Sequence, residues 1–172
     1  MIYYFTQPFL KQSTKKIHKI TTEQQEVVGG IQRYYKTPFQ RCVDFILDGF
    51  FLNFKVYDKE GKLIVEAIDK LTLIRDSWDI IEDGSRHHLN CVTKIKTNPR
   101  YIFSYHGEEF VIQKDFMDKY IRIKDVKTNK VISEYEYLTL TPPRKVSINI
   151  IEPTLSIYVI ICLNLILSTK YD

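Results

Sequence analysis

The chain has 172 residues, 44% hydrophobic and 27% charged, with 25 Lys and Arg against 21 Asp and Glu for a formal net charge of +4. That length supports one core and is short for two domains, the hydrophobic share excludes disorder, and the dispersed positive charge is compatible with an anionic partner without demanding one. Twelve Tyr and ten Phe against six Gly and six Pro favour strands with short turns over helices joined by long loops.

In chain order, the opening MIYYFTQPFLKQ lacks the basic and then apolar pattern of a secretory leader and reads as a first strand over Ile2 to Phe5. Glu26 to Tyr35 reads as one strand with a glycine kink at Gly29 and Gly30. Phe51 to Tyr57 alternates in polarity, Asp58-Lys-Glu-Gly61 supplies turn chemistry, and Lys62 to Ile68 returns, which makes a hairpin. Trp78 to Ile81 and His88 to Ile95 flank Glu82-Asp83-Gly84-Ser85 as a second. Tyr101 to Tyr105 with Glu109 to Gln113, and Tyr120 to Lys124 with Val131 to Tyr137, give two more. The last strand is Lys145 to Ile150, with Val146, Ile148 and Ile150 on one face. No helical run is read between the strands, so the expectation is a sandwich or a closed antiparallel barrel.

The run from Leu155 to Leu167 has only Ser156 and Asn164 as clearly polar residues. A helix there is apolar on all sides and belongs either in lipid or inside protein. Thirteen residues reach roughly 20 Å, short of the ~30 Å of a bilayer core, and extending the run backwards brings in Glu152 and Pro153. Pro153 suits the first turn of a helix and Glu152 its positive end, so the helix is expected to start near 153. A barrel of around a dozen strands can enclose it.

Phe54-Lys-Val-Tyr-Asp58-Lys-Glu-Gly61-Lys-Leu-Ile-Val65, the later pair Tyr120-Ile-Arg-Ile and Lys130-Val-Ile-Ser-Glu134, and the closing Val146-Ser-Ile-Asn-Ile-Ile-Glu152-Pro-Thr-Leu155 before the apolar run together resemble the tubby C-terminal-like superfamily, which includes the LURP-one-related proteins and the phospholipid scramblases. The resemblance spans most of the chain. It implies a mainly β fold, a closed antiparallel barrel of about twelve strands around a buried hydrophobic C-terminal helix, with residues 1 to 172 as one domain. It also implies no enzyme activity, and family roles that are phosphoinositide binding, lipid movement or unknown. No phosphoinositide-binding residue is carried over, and only Glu152 stands where the scramblases have an acidic calcium-binding segment.

Residues able to do chemistry are few. His87 and His88 are adjacent, face opposite sides of a strand, and read as a solvated turn without metal-ligand spacing. His18 and His106 read as surface residues. Cys42, Cys91 and Cys162 are odd in number and far apart, with no C-x-x-C pair, which argues against a disulfide framework or zinc site and for a reducing compartment. Cys42 and Cys91 read as buried small hydrophobes. Asp69, Asp76, Asp79 and Glu82 read as dispersed, solvated acids. The best anion-site candidate is Lys94-Ile-Lys96-Thr-Asn-Pro-Arg100, with Lys94 and Lys96 on one strand face and Arg100 after a Pro turn, where three cations could converge on a phosphate headgroup; the competing and favoured reading of the same residues is a basic exposed strand edge that blunts edge pairing. Arg33, Lys36 and Arg41 beside Tyr34 and Tyr35 form a weaker basic patch; the tyrosines there read as strand formers and give no clear nucleic-acid signal.

These readings give a non-enzymatic, monomeric, cytoplasmic binding or scaffold domain without cofactor or metal, its ligand unread, whose expected membrane contact is peripheral association with anionic phospholipid through Lys94, Lys96 and Arg100. The alternative is a tail-anchored membrane protein with a cytosolic β domain, which Arg144 and Lys145 on the near side of the apolar run support.

Overall fold

The computed structural model describes residues 1–7, 16–47, 50–70, 72, 75–95, 97–139 and 144–170. Its strands are β1 (Ile2–Gln7), β2 (His18–Thr22), β3 (Val27–Tyr34), β4 (Asn53–Asp58), β5 (Leu63–Lys70), β6 (Ser77–Glu82), β7 (Ser85–Cys91), β8 (Arg100–Tyr105), β9 (Glu108–Lys114), β10 (Tyr120–Asp125), β11 (Val131–Tyr137) and β12 (Arg144–Ile150). A helix α1 (Pro38–Ile46) lies between β3 and β4, and α2 (Ile157–Lys170) follows β12. Each strand pairs antiparallel with its neighbours in sequence, and β12 closes on β1 with Ile148 opposite Tyr3, giving the expected twelve-stranded barrel.

Local chemistry explains the meander. The alternating pattern of β7 sends His87, Leu89 and Cys91 inward, as period-2 side-chain geometry requires. The turns Asp83-Gly84 and His106-Gly107 have positive φ at both residues (46° and 79°, 48° and 85°), the backbone of a two-residue hairpin whose twist matches the strands it joins. At Gly29 the expected kink is a close approach instead: a Cβ there would lie 2.3 Å from the Tyr57 carbonyl oxygen. Beside it the pairing with β2 shifts register between Ile20 and Thr21, which face Gly29 and Val27, so that Val28 is the extra residue in β3.

The inward faces contribute Trp78, Tyr101, Phe103, Phe110 and Tyr135, all fully buried, each worth roughly 1.5–3 kcal/mol of burial. The barrel is filled by α2. From Val159 to Thr169 every residue is buried, and the helix touches β4 and β5 on one wall and β9 and β10 on the facing wall. It begins at Ile157, not near 153, because Ser156 is its cap: the Ser156 hydroxyl accepts from Val159 N (3.2 Å) and its carbonyl accepts from Ile160 N (3.0 Å). Glu152 sits before the helix and pairs with Lys130 (3.2 Å). Among the described residues no helix is long and apolar enough to cross a membrane, and enclosure of α2 leaves the tail-anchor alternative without support.

The up-and-down order sorts the connections onto two ends. The β4–β5, β6–β7, β8–β9 and β10–β11 turns, together with the start of α2, share one end; the β1–β2, β3–β4, β5–β6, β7–β8, β9–β10 and β11–β12 connections share the other, where α2 finishes and Lys170 pairs with Asp76 (3.0 Å).

Candidate functional site

Of the predicted cations, Lys94 and Arg100 lie at the end of the barrel where α2 finishes. β7 stops at Cys91 rather than running on to Ile95: Cys91 N donates to the Asp76 carbonyl (2.9 Å) and Val92 N to the Arg100 carbonyl (2.9 Å). The Thr93 hydroxyl accepts from Arg100 N (2.9 Å) and donates to Arg100 O (3.1 Å). Lys94 therefore sits on the β7–β8 connection, not on a strand face, and is exposed with no ion pair among the described residues. Lys96 lies outside the described residues.

Arg100 opens β8 with its side chain 29% exposed. Its guanidinium donates to the carboxylate of Asp115 and to the carbonyls of Lys114 (3.1 Å) and Pro99 (3.2 Å). It thus ties the β7–β8 connection to the end of β9, and Asp115, which sequence reasoning did not place beside it, offsets much of its charge. Lys94 and Arg100 nevertheless meet in one pocket of ≈ 290 Å³, whose other lining residues are Val92, Ile95, Asn98 and Val111. The lining thus combines aliphatic side chains with two cations. Asn98 Oδ1 accepts from Phe116 N (2.7 Å), bringing the β9–β10 connection beside the pocket, and both Phe116 and Met117 on that connection are exposed.

The same end carries α1, which the sequence reading missed. Thr37 caps it by accepting from Gln40 N (3.2 Å) and Pro38 fills its first turn, a Thr-x-x-Gln start signal that was available to find it. Its inward side is polar. The Asp44 carboxylate accepts from Arg33 Nη2 (2.7 Å), from the Tyr35 hydroxyl and from Phe51 N (3.2 Å); burial and this carboxylate push the Tyr35 phenol up to about 12, so it stays a neutral donor. Gln40 Oε1 accepts from Lys36 N (2.8 Å) and Asn53 Nδ2 (3.0 Å). The returning segment is stitched on both sides: Arg33 donates to Phe51 O (2.9 Å), Asp69 Oδ2 accepts from Leu52 N (2.9 Å), and Trp78 Nε1 donates to Leu52 O (2.9 Å). Arg33 is consequently buried and structural, while Lys36 and Arg41 are exposed.

Other sequence expectations change. His87 is buried rather than in a solvated turn, packed at a tilt against Tyr105 (4.5 Å between ring centroids) and edge-to-face against His106 (4.7 Å). Burial and the nearby His106 lower its pKa. His88 points the other way, to Asp79 Oδ1 (2.8 Å). Asp69, Asp79 and Glu82 are buried, not solvated, each in a definite network. Asp79 is held by Lys70 (2.6 Å) and His88. Glu82 accepts from the Tyr105 hydroxyl (2.8 Å) and the Ser156 hydroxyl (2.5 Å), fixing the start of α2 to the barrel wall. Cys42 is exposed, whereas Cys91 and Cys162 are buried. No group of three or more His, Cys, Asp or Glu able to hold a metal occurs among the described residues.

No curated protein and no solved structure matches the chain. The family model described as Tubby C-terminal like domain matches residues 3–169, nearly the whole barrel together with its central helix, and the chain belongs to that family.

Proposed function

We propose that this protein is a non-enzymatic binding domain that associates peripherally with anionic lipid through the β7–β8 connection. The observation that carries the reading is the pocket that the aliphatic Val92, Ile95 and Val111 line together with the cations Lys94 and Arg100. An anionic amphiphile suits such a site: its headgroup meets the cations and its first methylenes meet the walls. The family's association with lipid adds to it. Lys94 supplies the uncompensated charge, and Lys96, two residues on, adds to it; Arg100 shapes the pocket through its bonds to Asp115 and Lys114. Because Lys94 is exposed, the attraction is screened within ~8 Å at physiological ionic strength, which makes binding weak and dependent on salt.

The test is sedimentation with vesicles of phosphatidylcholine alone or with phosphatidylserine added, at low and high salt. Binding to the anionic vesicles, lost at high salt and reduced in a K94E/K96E variant, is the expected result. Arg100 is left intact because its removal would disturb the β8–β9 end. Equal sedimentation by the wild type and the variant would return Lys94 and Lys96 to solvated surface residues.

A further inference from the structure

In α1 the usual sidedness of a surface helix is reversed. Successive residues turn by ~100°, which places Gln40 and Asp44 on one side and Phe39, Cys42, Phe45 and Ile46 on the other. A helix on a barrel normally turns its apolar stripe to the core. Here Asp44 is the buried residue, while Phe39 is 65%, Phe45 85% and Ile46 79% exposed. The reversal is built in, because the Asp44 carboxylate has three donors and the Gln40 carbonyl two; rolling the helix over would strand them all. Such a patch of large apolar side chains, continued by Leu47 and Phe50, marks an interaction surface.

We infer that α1 is an interfacial element whose Phe39, Cys42, Phe45 and Ile46 face lies in the headgroup and acyl boundary of an anionic bilayer. The flanking charges select this occupant. Lys36 and Arg41 are exposed, and the acid of the helix, Asp44, is turned inward and paired, so the described surface from 35 to 47 is apolar and cationic. A second copy docking through the same face would bring two identical cationic margins together, with no described carboxylate of the helix to meet them. The partner must also be broad. Ile95 of the β7–β8 connection, Phe116 and Met117 of the β9–β10 connection and Leu138 after β11 are exposed at this same end, and apolar tips spread over connections around the end of a barrel suit a plane better than a single peptide. An apolar face edged by Lys and Arg is the composition of helices that lie in a membrane interface.

This inference rests on the lipid-docking reading but places a different element in contact, so the two can fail separately. Cys42 is the exposed thiol and sits in the middle of the face, while Cys91 and Cys162 are buried, so an environment-sensitive fluorophore attached to the folded protein reports on α1. With phosphatidylserine-containing vesicles the label should shift to the blue and brighten several-fold. An unlabelled F39S/F45S/I46S variant should keep its thermal transition, since these side chains point outward, and bind the vesicles at least roughly ten-fold more weakly. Retention of the label shift in K94E/K96E would show α1 engaging lipid without the lysines of the 92–99 segment. Sedimentation with vesicles while the label stays water-like would overturn the role of α1 and leave the pocket reading standing. A label shift that appears without vesicles as protein concentration rises would assign the face to a second copy instead. Absence of any vesicle binding would remove both readings.

Discussion

Asp69 lies on the inward face of β5, where Leu52 N donates to its carboxylate and Arg33, Asp76 and Lys170 are the charged groups around it. Burial outweighs the hydrogen bond and the two cations and pushes its pKa from 3.8 up to about 7. A carboxyl whose pKa is higher in the folded state binds its proton more tightly there, so its stabilising effect is complete below about 4 and is lost as pH rises through about 7. His87 has the opposite sign. Its pKa is lowered from 6.5 by burial, and that of His18 by burial and Lys16, so folding is favoured above 6.5 and loses that advantage as pH falls. The two dependences oppose one another in the wild type between pH 5 and 7. In a D69N variant, whose amide oxygen can still accept from Leu52 N, the histidine slope should stand alone. Urea denaturation across that range should show D69N gaining on the wild type as pH rises, by on the order of a few kcal/mol at most; parallel profiles would mean that Asp69 titrates normally. Asn164 offers a second test at this scale. It is fully buried in α2, donates to the Ile160 carbonyl (2.9 Å), and its Oδ1 has no partner among the described residues. An orphan acceptor of this kind costs about 1–3 kcal/mol, so N164L should raise the melting temperature, and a large loss would show that the amide oxygen is satisfied in solution.

The strands were legible because their signals are local: period-2 alternation in Tyr120 to Asp125 or Val131 to Tyr137, and turn residues such as Asp83-Gly84 whose backbone preference is intrinsic. Helix ends depended on contacts further away. Pro153 and Glu152 make a plausible start for α2 in sequence, yet the start is set by Ser156, whose hydroxyl faces Glu82 across 74 residues. S156A should therefore lower stability by about 1 kcal/mol, the usual effect of losing a helix cap, with a further contribution from leaving buried Glu82 short of a donor; a denaturant midpoint equal to that of the wild type would show that the latch contributes nothing. α1 escaped notice for a different reason. Its apolar spacing at Phe39, Cys42, Phe45 and Ile46 is weak evidence for a helix in a chain read throughout for strands, and nothing local says that the polar side turns inward, because Arg33 and Phe51, which hold Asp44, belong to β3 and to the segment before β4. The same limit applies to the candidate site. Lys94 and Arg100 were legible as cations, but the Asp115 that engages Arg100 reaches it through the pairing of β8 with β9, and the aliphatic wall from Val111 arrives the same way.

For the molecule as a whole, closure and filling are one problem. β1 and β12 are the two ends of the meander, and their pairing, with Met1 N donating to Ile150 O (2.9 Å), can form only when the intervening strands have curved into a ring. A ring of this size leaves an interior wide enough for a helix, so α2 supplies the inner layer of the one hydrophobic core to which Trp78, Phe103, Phe110 and Tyr135 also belong. Contacts this distant in sequence make folding slow and cooperative, and they predict that the helix is not released by local fluctuation. Cys162 reports on this directly. It is fully buried between Ile161 and Leu163, and burial raises its pKa, so little thiolate exists to react. In a C42S/C91S background, in plain buffer, a thiol reagent should modify Cys162 only at the rate of global unfolding, and the denaturant dependence of labelling should track the loss of far-ultraviolet circular dichroism. Fast modification of Cys162 while the barrel signal stays native would mean that α2 leaves the barrel without unfolding it, and the account of the helix as an inseparable core would fall.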